Sequence, residues 1–378
     1  MRAQILHHSL DSGWSEALPV KLDSEQTLVV AFGAPEYRDH PAAIAELRAA
    51  FPSAQLIGCS TAGEIVDSKI SDRSLAVAVA RFDSTTINLA SASIAQTSES
   101  FAAGETLARA LLKDGLRGVH VLSEGSCVNG TELVRGINSV VDSSVVVTGG
   151  LAGDGPRFER TWVIDDGKPV EGKITAIGLY GDSIKIGHGS KGGWDAFGPT
   201  RVVTKSEGSV LYELDGKPAL ALYEQYLGDR AAELPASGLL FPLLLTRPEQ
   251  ERKLVRTILA IDRDAQSLTF AGDIPTGAQA QLMKANFDRL VEGAERAGEL
   301  ARERGGEGED VLAIAISCVG RRLVLGERTE EEVEATLDVL PEGTKQVGFY
   351  SYGELSPVAE GSCDLHNQTM TLTTLRED

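Results

Sequence analysis

Two copies of one eight-residue pattern lie near opposite ends of this chain, and they constrain its fold more than any other feature. Residues 58–65 read GCSTAGEI and residues 348–355 read GFYSYGEL, so both follow G-x-x-x-x-G-E-[I/L]. The flanking residues match as well, because QLIG leads into the first octet and KQVG into the second. Each octet also follows a predicted helix that ends at a proline, Pro52 or Pro341. A repeated structural unit explains these matches better than chance does.

The octet closes a longer unit made of a strand, a helix and a second strand. In the first copy an apolar strand at 28–34 precedes a helix over about 41–51, and the octet follows. In the last copy the strand VLAIAISCV (311–319) precedes the helix TEEEVEATLDVL and the second octet. This order predicts a βαβ crossover in each copy.

A weaker third copy lies between these two. It runs from the strand GVHVLSEG (118–125) through a helix with apolar residues at 133, 134, 137 and 141 to VVVTGGLAGDG. In this copy Ala152-Gly153-Asp154 takes the place of Ala62-Gly63-Glu64. The repeat therefore predicts three related units in one chain.

The predicted fold class is α/β to α+β, with mixed parallel and antiparallel sheets covered by helices. The βαβ units supply parallel strands, whereas alternating strands such as 74–83 and 86–93 and tight turns such as Asp215-Gly216 indicate antiparallel meanders. After this turn the alternating strand patterns give way to helical patterns, and a long charged helix is expected from about 276 to 304. We therefore predict two closely associated domains, residues 1–216 and 217–378.

The charge of the chain excludes several classes of partner. A formal net charge of −19, from 55 acidic and 36 basic residues, repels nucleic acid and anionic lipid. No apolar run approaches the roughly 18 residues of a membrane span, and the amino terminus lacks the apolar stretch of a signal peptide. We expect a cytoplasmic protein that binds neither nucleic acid nor membrane.

The octet is a poor candidate for an enzyme's nucleophile site. Cys59 or Ser60 could occupy a strand-to-turn corner, but the second copy has Phe349 and Tyr350 at the matching positions. A motif that omits the nucleophile in one copy is not built around it, and no general base is positioned by the sequence. We therefore predict that the protein is not an enzyme.

Both octets keep a glycine followed by a glutamate, Gly63-Glu64 and Gly353-Glu354. Glycine permits a positive φ, and the adjacent carboxylate can accept hydrogen bonds from nearby backbone amides. A structural turn is favoured over direct ligand contact. We expect the two glutamates to lie at corresponding strand ends that face a shared region.

Residues 187–192, GHGSKG, match G-x-G-x-x-G, but the Gly- and Pro-rich continuation argues against the helix that a dinucleotide site needs. His188 lies between two glycines at a predicted strand end, with Trp194 and Phe197 following in a predicted loop. Such a histidine could be an axial haem ligand covered by aromatic rings. From the spacing alone, a histidine in a glycine-rich hairpin is the favoured interpretation.

Several motifs together resemble the FIST family over nearly the whole chain. These motifs occur in the family's order: GCSTAGEI, VTGGLAGDG, VVTKSEGSVLYELDGKPAL, and GFYSYGEL with LHNQT. The resemblance implies a ligand-binding sensor with an N-terminal and a C-terminal part. Its partner would be a separate signalling protein, such as a histidine kinase or a cyclic-dinucleotide enzyme.

Within the family, the segment IGHGSKGGWDAFGP is similar to that of the NosP subgroup, which binds haem and senses nitric oxide. The resemblance implies haem b as cofactor, with His188 as the axial ligand and Trp194 and Phe197 beside it. The alternative is a sensor of amino acids or other small metabolites, with Glu64, Tyr352 or Glu354 as polar anchors. The alternative is preferred if His188 lies in a buried polar network with no cavity beside it.

Overall fold

The computed structural model describes residues 1–247, 252–358 and 361–378. Its helices are Ala42–Ala50 (α1), Ser100–Leu111 (α2), Gly130–Asn138 (α3), Ala219–Leu227 (α4), Phe287–Gly305 (α5), Val319–Leu325 (α6) and Thr329–Asp338 (α7).

The strands of the first half are Arg2–Ser9 (β1), Gly13–Trp14 (β2), Thr27–Gly33 (β3), Gln55–Ser60 (β4), Glu64–Val66 (β5), Lys69–Ser71 (β6), Ser74–Arg81 (β7), Thr86–Ser93 (β8), Leu116–Ser123 (β9), Val146–Leu151 (β10), Val163–Asp165 (β11), Lys168–Val170 (β12), Lys173–Tyr180 (β13) and Ile184–Lys191 (β14).

Those of the second half are Asp195–Glu207 (β15), Val210–Leu214 (β16), Lys217–Pro218 (β17), Leu243–Arg247 (β18), Arg252–Arg256 (β19), Ile258–Asp262 (β20), Ser267–Phe270 (β21), Gln279–Lys284 (β22), Leu312–Cys318 (β23), Lys345–Ser351 (β24), Gly353–Pro357 (β25), Cys363–His366 (β26) and Met370–Glu377 (β27).

Three repeated units each form the centre of one mixed sheet, which confirms the predicted fold class. The parallel pairs are β3 with β4, β9 with β10, and β23 with β24. In each sheet an antiparallel strand lies beside the first strand of the parallel pair, and a further strand lies beyond that antiparallel strand. We call the sheets first, middle and last, with the orders β12-β11-β4-β3-β7-β1-β2, β26-β25-β10-β9-β13-β8, and β6-β5-β24-β23-β27-β14.

Each unit passes a short hairpin to the sheet of another unit. The chain leaves β4 of the first unit and enters the last sheet, where β5 pairs with β24. The last unit sends β25 and β26 to the middle sheet, beside β10. The middle unit sends β11 and β12 to the first sheet, beside β4. The exchange therefore closes a ring of three units.

The inner faces of the sheets pack against each other, and the helices cover the outer faces. The rings of Phe32 and Phe349, from the first and last sheets, lie 4.7 Å apart. Leu122 and Ile177 of the middle sheet belong to the same buried cluster. Both faces of each sheet are therefore covered, and this explains why the central strands are apolar along nearly their whole length.

A fourth sheet, of order β19-β18-β22-β15-β16-β21-β20, has its own apolar core with α4. It begins at β15, before residue 217, and the middle and last sheets take strands from both sides of that residue. The division at 216 and 217 stays a prediction. Among the helices of the described residues, none is long and apolar enough to cross a membrane.

The long charged helix begins later than predicted. Residues 279–284 form β22, and α5 starts at Phe287, where the Asn286 side chain accepts a hydrogen bond from the backbone amide of Arg289 at 3.3 Å. Burial of Ala280, Leu282 and Met283 in the packed strand outweighs their helix propensity. The prediction of a start at 276 was wrong.

Candidate functional site

The three crossings from one sheet to the next meet at the centre of the molecule. The amide of Ala62 donates to the Tyr350 carbonyl (2.8 Å), and the amide of Tyr352 donates to the Leu151 carbonyl (3.2 Å). The amide of Gly153 donates to the Ser60 carbonyl (3.0 Å), which completes a ring of three corresponding hydrogen bonds. The two octets therefore face one shared region, as the repeat predicts.

The repeated glutamates accept hydrogen bonds in the same pattern in both octets. Glu64 accepts from the hydroxyl of Thr61, three residues earlier, and from both the amide and the hydroxyl of Ser74. Glu354 accepts from the hydroxyl of Ser351, three residues earlier, and from both the amide and the hydroxyl of Thr369. Both carboxylates are buried. They tie each crossing to a neighbouring strand, so a structural role accounts for the repeated glutamate.

Gly63 is required by its backbone and by its surroundings. Its φ is 132, a value that L side chains rarely adopt. A Cβ at this position would also overlap the guanidinium of Arg322. Arg322 donates to the Ala62 carbonyl (2.6 Å) and forms a two-pronged pair with Asp72, at 2.8 Å for each nitrogen.

The middle unit differs from the other two because a ten-residue loop interrupts its crossing. We call residues 153–162 the inserted loop. Asp154 does not repeat the role of Glu64: its carboxylate accepts the amides of Phe158 (2.8 Å), Glu159 (3.0 Å) and Arg160 (2.9 Å), and also the hydroxyl of Tyr352. The sequence equated Asp154 with Glu64 and missed this role. The longer spacing before the next strand was the available signal.

The other end of the inserted loop is also anchored. The Thr161 hydroxyl donates to the Glu124 carboxylate at 2.7 Å and accepts the amide of Gly125 at 2.8 Å. The next residue, Trp162, is fully buried and donates from its indole nitrogen to the Pro35 carbonyl at 3.2 Å. The loop between these anchors is exposed at residues 156–160.

Two cavities lie on either side of the inserted loop. The first, which we call the Tyr352 cavity, has a volume of about 250 Å³ and lies between the repeated units and strand β21. Its wall includes Tyr352, Phe158, Leu151, Ser126 and Asn129. The second, which we call the Arg322 cavity, has a volume of about 480 Å³, and its wall includes Ala62, Gly155, Pro156, Arg322 and Glu330.

Phe158 closes the Tyr352 cavity on the side of the inserted loop. Its ring stacks on that of Tyr352, with centroids 4.3 Å apart and an interplanar angle of 14°. Phe158 is 40% exposed and has a φ of 54, which is strained for a bulky residue. An exposed, strained aromatic residue over a cavity is a feature of ligand-binding loops.

The predicted anchors of the alternative ligand site are not all brought together. Tyr352 lines a cavity, and its hydroxyl also donates to the Gly155 carbonyl at 2.9 Å. Glu64 and Glu354 are fully engaged by neighbouring hydroxyls and amides, and neither belongs to the wall of the Tyr352 or the Arg322 cavity. Of the three residues, only Tyr352 is placed to contact a ligand there.

The octet does not present a nucleophile. Cys59 and Ser60 are both buried. Burial raises the pKa of the Cys59 thiol well above its usual value. The Ser60 hydroxyl accepts the amide of Trp162 at 3.0 Å. Neither side chain has the exposure and activation that nucleophilic catalysis requires.

The sequence predicted that His188 lies at a strand end. In the structure it lies inside β14. Arg304 of α5 donates to the His188 carbonyl at 2.7 Å, and one of its nitrogens lies 3.3 Å from Nδ1 of the ring. The flanking glycines let α5 approach the strand, since a Cβ on Gly187 or Gly189 would overlap carbonyl oxygens of the helix. Burial, together with Arg304, lowers the pKa of His188 to about 4.

Trp194 and Phe197 do not gather around His188. Trp194 packs with Leu290 near the start of α5 and donates to the Gln368 carbonyl at 2.9 Å. His188 lies beside Arg304 near the other end of that helix, roughly 20 Å away along its axis. Phe197 is part of β15 and packs in the fourth sheet. This arrangement does not fit a haem held by His188 and covered by these two rings.

No group of three or more His, Cys, Asp or Glu side chains in the described residues is arranged to hold a metal ion. Nε2 of His366 lies 3.0 Å from the Ser356 carbonyl oxygen. The strand following the G-x-G-x-x-G segment is β15, in agreement with the rejection of a dinucleotide site.

Two family models together match most of the chain. The FIST N domain matches residues 27–217, and the FIST C domain matches residues 219–357. The chain therefore belongs to the FIST family. FIST domains are signal-transduction sensor domains that bind small ligands.

Two proteins that are similar to this chain are named only as uncharacterized. An uncharacterized protein of Mycobacterium tuberculosis (strain H37Rv) is 27% identical over 251 residues, which cover 64% of this chain and 63% of that protein. An uncharacterized protein of Methanocaldococcus jannaschii is 26% identical over 256 residues, 59% of this chain and 47% of that protein. The chain thus spans less than two thirds of the length of these relatives.

A solved structure of cyanuric acid hydrolase from A. caulinodans aligns with 100% of this chain and 99% of its own, with 9% identity and a TM-score of 0.35. A likeness this distant carries no conclusion about function.

Proposed function

We propose that this protein is a sensor of a small metabolite that binds in the Tyr352 cavity and acts on the inserted loop. The observation that carries the proposal is the loop itself. It interrupts one of three otherwise matching crossings, and its Phe158 forms part of the cavity wall. Insertions confined to one copy of a repeat commonly form the binding face.

The chemistry of the cavity favours a compact, flat ligand. The stacked rings of Phe158 and Tyr352 define two parallel planes, and an aromatic or heterocyclic group stacks well on either. Leu151 and Val128 add apolar surface, while Ser126 and Thr269 offer hydroxyls for orientation.

Ligand binding would be transmitted through the inserted loop. A ligand that stacks on the Phe158 ring shifts this residue and, with it, the backbone amides of Phe158 and Glu159, which donate to the Asp154 carboxylate. The exposed residues 156–160 then change position at the surface, where a separate partner can contact them. The partner in this proposal is a histidine kinase or a cyclic-dinucleotide signalling protein.

The proposal includes binding without turnover. Cys59 and Ser60 are buried, and the octet of the last unit has Phe349 and Tyr350 at the corresponding positions. A compound that binds should be recovered chemically unchanged after long incubation with the protein. Product formation that depends on either side chain would contradict this part of the proposal.

We expect Phe158→Ala to weaken ligand binding at least about fivefold, while Phe287→Ala leaves it intact. Both phenylalanines are exposed to a similar degree, 40% and 45%, but only Phe158 lines the cavity. Loss of an aromatic stack costs about 1 kcal/mol or more, which weakens binding roughly fivefold or more. The measurement is a thermal-shift screen of free amino acids, nucleobases and short carboxylic acids, followed by calorimetry on each compound that stabilises the wild-type protein. A compound that binds wild type and Phe158→Ala equally would place the ligand elsewhere.

Haem b with His188 as its axial ligand, and nitric oxide as the sensed gas, is the second hypothesis. It is supported by the resemblance of residues 186–199 to the NosP subgroup. We place it second because His188 faces Arg304 inside β14 and the glycines beside it hold α5.

We expect His188→Ala and wild type to give the same absorption spectrum when haem is titrated into the apoprotein. The exposed His40→Ala is the matched control. A Soret band with one haem per chain that is lost only in His188→Ala would favour haem. It would also require β14 and α5 to separate.

A further inference from the structure

The middle sheet ends in an eight-residue edge strand, β8, which pairs only with β13. In an antiparallel pair, half of the backbone groups of each strand point away from the neighbour. Among the described residues, no backbone group of Thr86–Ser93 forms a hydrogen bond outside the pairing with β13. The outer row of amides and carbonyls of β8 therefore has no hydrogen-bond partner within the described part of the chain.

The corresponding edges of the other two sheets are protected. In the first sheet, β2 covers one end of β1, and the Ser15 amide and the Tyr37 hydroxyl donate to the carbonyls of His7 and His8 at 2.8 and 3.0 Å. In the last sheet, the Arg304 side chain of α5 donates a hydrogen bond to the His188 carbonyl of β14. The three repeated units thus share an edge position, and β8 is the one without such protection in the described part of the chain.

The composition of β8 adds to this contrast. Its sequence, TINLASAS, contains no charged residue and no proline, the two devices that most often keep edge strands from pairing. Ser91 and Ser93 are exposed, whereas Ala90 and Ala92 pack under α2. A neutral open edge is unexpected in a chain with a net charge of −19.

We infer that a second copy of this chain pairs with β8, so that two middle sheets join into one continuous antiparallel sheet. Antiparallel pairing of two identical strands is self-complementary and fits a twofold axis. The neutral strand brings no like charges together across that axis, although the rest of the surface is strongly acidic. The edge offers no charge that would attract a basic or an acidic partner instead.

The helix beside β8 enlarges the interface. A twofold axis perpendicular to the sheet leaves α2 on the same face in both copies, so the two α2 helices become neighbours. Leu112, at the end of α2, is 51% exposed and supplies apolar surface there. Strand pairing together with helix contact is needed to reach the roughly 1,200 Å² of a stable interface.

Light scattering during gel filtration tests the inference directly. Over a concentration series, the wild-type protein should approach twice the monomer mass of 40.1 kDa. The variant Ser91→Lys/Ser93→Lys should weaken the dimer at least about tenfold, because it places four lysines around the twofold axis. Both serines are exposed, so the fold is expected to persist, and circular dichroism checks this.

The control variant is Ser143→Lys/Ser144→Lys, which adds the same charge at exposed turn residues before β10. It should dimerise like wild type. A wild-type protein that stays monomeric at every concentration would overturn the inference, as would equal weakening by both variants or no weakening by Ser91→Lys/Ser93→Lys. None of these outcomes depends on the ligand, so they leave the metabolite-sensor proposal to its own test.

Discussion

Replacing Arg321 by methionine is expected to lower the free energy of unfolding by about 3–5 kcal/mol, because it leaves the Glu332 carboxylate buried without its counter-charge. Both side chains are fully buried, and the guanidinium lies 2.6 and 2.8 Å from one Glu332 oxygen. Arg321 also donates to the carbonyls of Leu290 (2.8 Å) and Gly192. The pair thus joins α5, α6 and α7 to the segment after β14.

Urea unfolding measures this effect, and Arg328→Met is its matched control. Arg328 pairs with Glu331 and Asp288 at the surface, so its loss should lower the free energy of unfolding far less than the loss of Arg321 does. Adding Glu332→Gln to Arg321→Met should recover part of the stability, since it removes the uncompensated charge. If Arg321→Met and Arg328→Met lost similar free energies of unfolding, the buried pair would contribute no more to stability than the surface pair.

Glu354→Gln is expected to match wild type below about pH 4.5 and to exceed it in stability at pH 9, by up to about 5 kcal/mol. Burial raises the pKa of Glu354 from 4.5 to about 8, against the opposing effect of its hydrogen bonds to Ser351 and Thr369. The folded state therefore holds this proton more tightly than the unfolded chain does. The stabilisation is complete below about pH 4.5 and is lost as the pH rises through 8.

The raised pKa of Glu64 changes the stability of the protein in the same direction, over a narrower pH range. Burial raises its pKa from 4.5 to about 7, so Glu64→Gln should gain about 3 kcal/mol over wild type at high pH. Unfolding midpoints from pH 5 to pH 9 test both variants, with Glu331→Gln as an exposed control whose lowered pKa keeps its titration below this range. A constant difference between Glu354→Gln and wild type across these pH values would contradict the raised pKa.

The repeated units could be predicted because their signals are local. The apolar strands, the helix patterns and the two octets each lie within about forty residues, and α1, α3 and α7 fall where the periodicity places them. The exchange of hairpins could not be predicted, because nothing within Glu64–Val66 indicates that its partner strand is Lys345–Ser351.

The site was harder to predict because the same residue types serve different physical roles. The glycines beside His188 suggested room for a ligand, but in the structure they make room for α5. Asp154 matched Glu64 in sequence, yet it holds the inserted loop. Tyr352 was identified from the repeat, whereas Phe158 and Arg322 lie outside any motif and become candidates only through their position beside the central crossings.

The ring of exchanged hairpins also determines when the chain can fold during its synthesis. β5 is made early, but its partner β24 emerges roughly 280 residues later. At elongation rates of about 5–20 residues per second this interval is roughly 15–60 s, during which the hairpin of β5 and β6 has no partner strand. No single unit can complete its sheet from its own residues. Nascent chains therefore have an extended period in which holdase chaperones can bind them, and cooperative folding begins only when the last unit has left the ribosome.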